Sequence, residues 1–135
     1  RMLVYGTLLL ILIVALTTAM ATRTPLRIDV MRDRNSLYRE LPNNVVENIY
    51  TLKLINQSEN SRDFALTVGG VEGVALDGVD DVIAIAGGEI LTLPVRVRAT
   101  RDNAYGIGTI EFAVYATDDP SVRAVQDSRF IGPTR

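Results

Sequence analysis

The chain has 135 residues, 47% of them hydrophobic, with 14 basic and 16 acidic side chains and no Cys, His or Trp. Without Cys there is no disulfide framework, thiolate nucleophile or cluster ligand, and without His the usual general base and the commonest transition-metal ligand are missing. A net charge of −2 offers no basic surplus for a phosphate backbone, so nucleic acid is not an expected partner.

Met2 to Thr22 reads MLVYGTLLLILIVALTTAMAT, an uncharged run closed by Arg1 and Arg23. As a helix of that length it spans ~30 Å, the thickness of a bilayer's hydrocarbon core, and residues 1–23 are therefore read as a transmembrane helix. Leu8 to Leu16 is apolar throughout, which argues against a helix lying in the interface. The competing reading is a secretory signal peptide, because Ala19-Met20-Ala21 has the small-x-small form of a cleavage site. Five arginines (23, 27, 32, 34 and 39) follow the helix and would by charge alone hold that flank on the cytoplasmic side.

Residues 24–135 change to a two-residue period. Leu26, Ile28 and Val30 alternate with Arg27, Asp29 and Met31 in a first strand, and 32–35 with 41–44 read as connection. A second strand over Val46 to Leu54 stops at the polar run 56–61. Phe64, Leu66 and Val68 form a third, halted by Gly69-Gly70. A loop over 71–81 carries a short edge strand at Val74 to Leu76, and Val82 to Ala86 is a short apolar strand. Leu91 to Val97 alternates again but contains Pro94, which places that strand at an edge or a bulge. Ile110 to Tyr115 and Val122 to Ile131 complete some seven strands with no second helix, an antiparallel β-sandwich of immunoglobulin-like type, all-β behind one transmembrane helix.

Candidate sites are few. Asp77, Asp80 and Asp81 offer oxygen ligands, but their spacing is not that of a calcium loop and a solvated acidic turn is expected. Asp118-Asp119-Pro120 reads as a turn. A copper site built from the chain alone would want His, Cys or several Met, and Met31 is the sole Met of the β region. Asn56-Gln57-Ser58 fits the short glycosylation pattern. No nucleophile–base pair supports a hydrolase. The densest polar cluster is Arg32, Asp33, Arg34, Asn35, Leu37, Tyr38 and Arg39. It is read either as a juxtamembrane loop whose arginines meet lipid phosphates or as a segment that docks the β-domain on a partner.

Asp29-Val30-x-Arg32-Asp33-Arg34-Asn35-x-Leu37-Tyr38-Arg39, followed by Glu47 to Asn56 (ENIYTLKLIN) and closed by Ser128-Arg129-Phe130-Ile131-Gly132-Pro133, resembles the C-terminal region of the FixG/CcoG-type cytochrome c oxidase accessory proteins. The resemblance covers the whole chain and is most specific over 29–56. It implies a last transmembrane helix followed by an immunoglobulin-like accessory domain on the periplasmic side of the bacterial inner membrane. It also implies a polytopic parent with two [4Fe–4S] clusters in a missing N-terminal part, implicated in copper reduction and delivery during assembly of the cbb3-type oxidase. The cluster cysteines have no counterpart here, so this chain is expected to hold no cofactor and to be no enzyme by itself. The implied partners are the lipid bilayer, the remainder of the parent chain, and oxidase subunits or copper-handling proteins. The alternative from another class is an independent secreted or membrane-anchored β-sandwich binding module of the cell envelope.

Overall fold

The computed structural model describes residues 1–21 and 25–134. The expected boundary between helix and domain, at 23/24, lies outside the described residues. Helix α1, Met2–Ala21, has every residue exposed and a mean hydropathy of 2.3, so it is long and apolar enough to cross a membrane. Its threonines are satisfied within the helix: the Thr7, Thr17 and Thr18 hydroxyls donate to the carbonyls of Leu3, Ile13 and Val14 at 2.7, 2.7 and 2.8 Å. Internal satisfaction of that kind is what hydrocarbon demands.

The rest is a sandwich of two antiparallel sheets. The strands are β1 (Leu26–Arg32), β2 (Arg39–Leu41), β3 (Val45–Asn56), β4 (Arg62–Gly69), β5 (Ala75–Asp77), β6 (Ile83–Ile85), β7 (Ile90–Thr100), β8 (Ile107–Ala116) and β9 (Arg123–Ile131). One sheet has the order β1-β3-β7-β5, with β2 also paired to β3; the other has β6-β4-β8-β9. The immunoglobulin-like architecture read from the alternation is therefore the one the chain adopts. Among the described residues nine strands form where some seven are expected; the one that the sequence reading leaves wholly as connection is β2, three residues long and without apolar alternation. It turns into β3 through Asn43 and Asn44, both at positive φ (65° and 63°), a conformation asparagine tolerates better than most residues.

β3 is the spine of its sheet. Val46, Tyr50, Leu52 and Leu54 on its inward register are fully buried against Phe64, Ile85, Ile110, Phe112 and Val114 of the facing sheet. The Tyr50 and Phe112 rings meet edge to face, 5.2 Å between centroids. Pro94 sits where its missing N–H does least harm: β5 covers β7 only from Arg96 to Arg98, so at Pro94 the strand has no neighbour on that side.

Candidate interaction surface

The candidate segment 32–39 closes one end of the sandwich. β1 starts at Leu26 opposite Asn56 and ends at Arg32 opposite Tyr50, and at about 3.4 Å per residue this carries the chain ~20 Å along the domain. The segment therefore bridges the β3 edge from Tyr50 to Glu47, remote from the first fixed residues after α1, and β2 carries the chain on to Val45, which pairs with Thr100 at the β7 terminus.

Within the segment, half of the residues build and half project. The Asp33 N–H donates to the Ile49 carbonyl at 3.0 Å, and the Asp33 carboxylate accepts from the Asn35 N–H at 2.9 Å, a turn that sends the chain across the end of the sheet. Tyr38 packs on the core. Arg39 opens β2 opposite Glu47. Arg32 is half-buried, and its Nη1 has no hydrogen-bond partner among the described residues. What the segment offers to solvent is Arg34, Asn35, Leu37 and Arg39, with Leu37 61% exposed. Beside them, Val30, Met31, Arg32, Asp33, Arg34 and Thr51 line an open groove of about 620 Å³.

Beneath this surface lies a cross-sheet lock that sequence reasoning misses. The buried Asn48 side chain donates from Nδ2 to the Ile131 carbonyl at 2.7 Å and accepts from the Ile131 N–H at 3.0 Å, tying β3 to the last residue of β9 in the opposite sheet. Two residues on, the Tyr50 hydroxyl donates to the Arg129 carbonyl at 2.5 Å. Burial pushes that hydroxyl far above the ordinary tyrosine range, with the nearby Arg32 charge pulling the other way, so it stays a protonated donor. Gly132 then packs so tightly on Ala104 that a Cβ would overlap the Ala104 carbonyl oxygen, while its N–H donates to Gly106 at 2.8 Å. The signal for the lock is register: Asn48 stands in the inward phase with Val46, Tyr50 and Leu52, and a polar side chain there needs partners.

On the outer face of the same sheet Glu47 is also nearly buried. Arg98 Nε donates to it at 2.8 Å and Arg98 reaches Asp77 at 3.0 Å, with Arg96 3.8 Å from Asp77. The hydrogen bond to Glu47 and the charges of Asp77 and Glu47 raise the Arg98 pKa further, against a smaller opposing effect of desolvation. Asp77, a candidate cation ligand by sequence, is thus committed to two guanidinium groups. No group of three or more His, Cys, Asp or Glu among the described residues is placed to hold a metal. Asp119 forms the expected turn, accepting from the Ser121 N–H and hydroxyl at 3.1 and 2.6 Å, which hold its carboxyl below the usual range.

The glycosylation pattern is emptied by burial. Asn56 is fully buried; its Nδ2 donates to the carbonyls of Asn60 and Ile85, both at 3.0 Å, and its Oδ1 accepts from the Ser58 N–H and hydroxyl at 3.1 and 2.6 Å. The amide nitrogen that a glycan would need is occupied inside the fold.

The three stretches that carry the sequence resemblance, 29–39, 47–56 and 128–133, thus touch one another here through their facing parts, Asp33 with Ile49, Arg39 with Glu47, Asn48 with Ile131 and Tyr50 with Arg129. No curated protein sequence matches the chain. Among solved structures it is similar to the crystal structure of a FixG-related protein from Vibrio parahaemolyticus, at 35% identity and a TM-score of 0.71, covering 80% of this chain and 96% of that one. The cupredoxin domain of amoB from Nitrosocaldus yellowstonii matches at 14% identity and a TM-score of 0.43, over 68% of this chain and 60% of that one, too distant to bear on fold or function. The family model described as the immunoglobulin-like fold at the C-terminus of FixG matches residues 16–133, and the chain belongs to that family.

Proposed function

We propose that the chain is the terminal membrane helix and accessory immunoglobulin-like domain of a cbb3-type cytochrome c oxidase assembly protein, and that the domain works by protein–protein contact on the periplasmic side. The redox chemistry, two [4Fe–4S] clusters acting in copper reduction and delivery, belongs in this reading to an N-terminal part of the parent. No catalytic step is assigned to the residues of this chain. Oxidase subunits or copper-handling proteins are the partners.

The observation that carries the contact role is the geometry of the 32–39 segment. Arg34, Asn35, Leu37 and Arg39 project from a backbone fixed by Asp33 and by the Asn48–Ile131 lock, at the end of the sandwich far from Leu26. That position favours docking over contact with lipid phosphates, because ~20 Å of strand separates Arg32 from the start of the domain. Preorganised exposed side chains of this kind, an Arg pair around an apolar Leu, suit a protein partner.

The test is co-purification of oxidase subunits with the full-length protein carrying Arg34→Ala and Arg39→Ala. Both side chains are exposed, so the variant folds, and the proposal expects a several-fold loss of partner recovery at unchanged protein level. Recovery equal to that of the unaltered protein would remove this segment from the contact role.

A further inference from the structure

The two ends of the sandwich differ, and the chain itself dictates which end meets the membrane. Pro25 is the first described residue after the helix, and its carbonyl accepts from the Gln57 N–H at 2.9 Å, so the domain is already fixed at that point. Ala21 ends α1. Four Cα–Cα steps of 3.8 Å put Pro25 within ~15 Å of the helix end whatever path the intervening residues take. The headgroup layer beyond the hydrocarbon core is ~5–8 Å deep. The end of the sandwich that holds Pro25 and Leu26 is therefore bound to sit at the bilayer surface when α1 spans it.

That end is built as one rigid base. Asn56 links the loops on either side of it: its Nδ2 holds the carbonyls of Asn60 and Ile85, its carbonyl accepts from the Gly88 N–H at 2.8 Å, and its own N–H donates to the Glu89 carbonyl at 3.1 Å. Gly87 lies against the Glu59 backbone so closely that a Cβ would overlap it. The third loop is tied in by the Thr117 N–H, which donates to the Asp63 carbonyl at 3.0 Å. From this base β3 runs to Val45, where it meets the β7 terminus at Thr100, a distance of ~35–40 Å at strand rise.

We infer that the Pro25–Leu26 end is the domain's membrane-facing surface, so that the sandwich stands on end over the bilayer. The 32–39 end is then held some tens of ångströms out, at the height where a neighbouring protein's extramembrane part is met. The inference rests on α1 spanning the membrane and does not require any particular partner.

The absence of cysteine lets a single introduced one carry a donor fluorophore. The full chain with Gln57→Cys at the base or Asp102→Cys at the far end, both exposed positions, is placed in phosphatidylcholine nanodiscs bearing headgroup acceptors. Energy transfer several-fold stronger from Gln57→Cys than from Asp102→Cys is expected; equal transfer from the two overturns the upright arrangement while leaving the membrane anchor intact. Failure of the chain to enter discs at all overturns the spanning helix, and the orientation with it.

Discussion

Asn48→Ala isolates the lock that joins the two sheets. It removes two hydrogen bonds, of 2.7 and 3.0 Å, and leaves both backbone groups of Ile131 without their partner in a part-buried place. An unsatisfied buried group costs ~1–3 kcal/mol; since Ile131 is half-buried and water can reach part of the loss, the sum falls at about 2–3 kcal/mol. With a urea m-value of about 1.5 kcal/mol/M for a domain of this size, the midpoint should fall by roughly 1.3–2 M. The assay is urea unfolding of the full chain in detergent, followed by the far-UV signal of the sheets. Asn48→Asp sharpens it: the introduced carboxylate can accept from the Ile131 N–H but faces the Ile131 carbonyl with a lone pair. Burial raises the carboxyl's folded pKa above its unfolded value, so the folded state binds the proton more tightly. Relative to the unaltered chain, this variant should regain stability as pH falls towards the unfolded carboxyl pKa, because the protonated acid can donate, and lose it as pH rises through the folded pKa. A midpoint for Asn48→Ala within about 0.3 M of the unaltered chain, near the ~0.5 kcal/mol of an ordinary surface change, would refute the reasoning.

Three further outcomes follow from the same contacts. Tyr50→Phe keeps the edge-to-face packing on Phe112 and deletes only the bond to the Arg129 carbonyl, so a loss of about 1 kcal/mol is expected by urea melt; no loss would mean that the hydroxyl is idle. Gly132→Ala drives a methyl into the Ala104 carbonyl, a backbone group that cannot turn aside, and should cost at least about 3 kcal/mol or prevent accumulation of folded protein; a variant as stable as the original would mean the two segments are not in contact. Expressed through a glycosylating secretory pathway, the Asn56-Gln57-Ser58 sequence should stay unmodified in folded protein, with gel mobility unchanged by endoglycosidase, because its amide is spent on Asn60 and Ile85.

Much of the fold is legible because burial follows the two-residue period. Leu26 and Ile28 are buried while Arg27 between them is exposed, and the same alternation marks Leu52, Lys53 and Leu54. β2 is not legible: Arg39-Glu40-Leu41 has no apolar rhythm and exists because β3 extends past β1 and offers it an edge. The candidate surface is half legible. Arg34, Leu37 and Arg39 stand out as a polar cluster around an exposed apolar residue, but that Arg32, Asp33 and Tyr38 serve the fold depends on pairings with residues far along the chain. Asn48 and Asn56 are the instructive pair. Both lie in the inward phase of β3, so sequence marks them as buried amides in want of partners, yet their partners at Ile131, Ile85 and Asn60 are set by tertiary structure. Glu47 departs from the pattern for another reason, since it is outward-facing and still buried beneath its Arg98 pair.

The proposed role of this domain, service to oxidase assembly by contact, is decided by deletion of residues 26–135 from the full-length protein. With the membrane part expressed at its normal level, a marked fall in assembled cbb3-type oxidase is expected, read as membrane haem content and oxygen consumption. Oxidase at the level of the unaltered strain would contradict it.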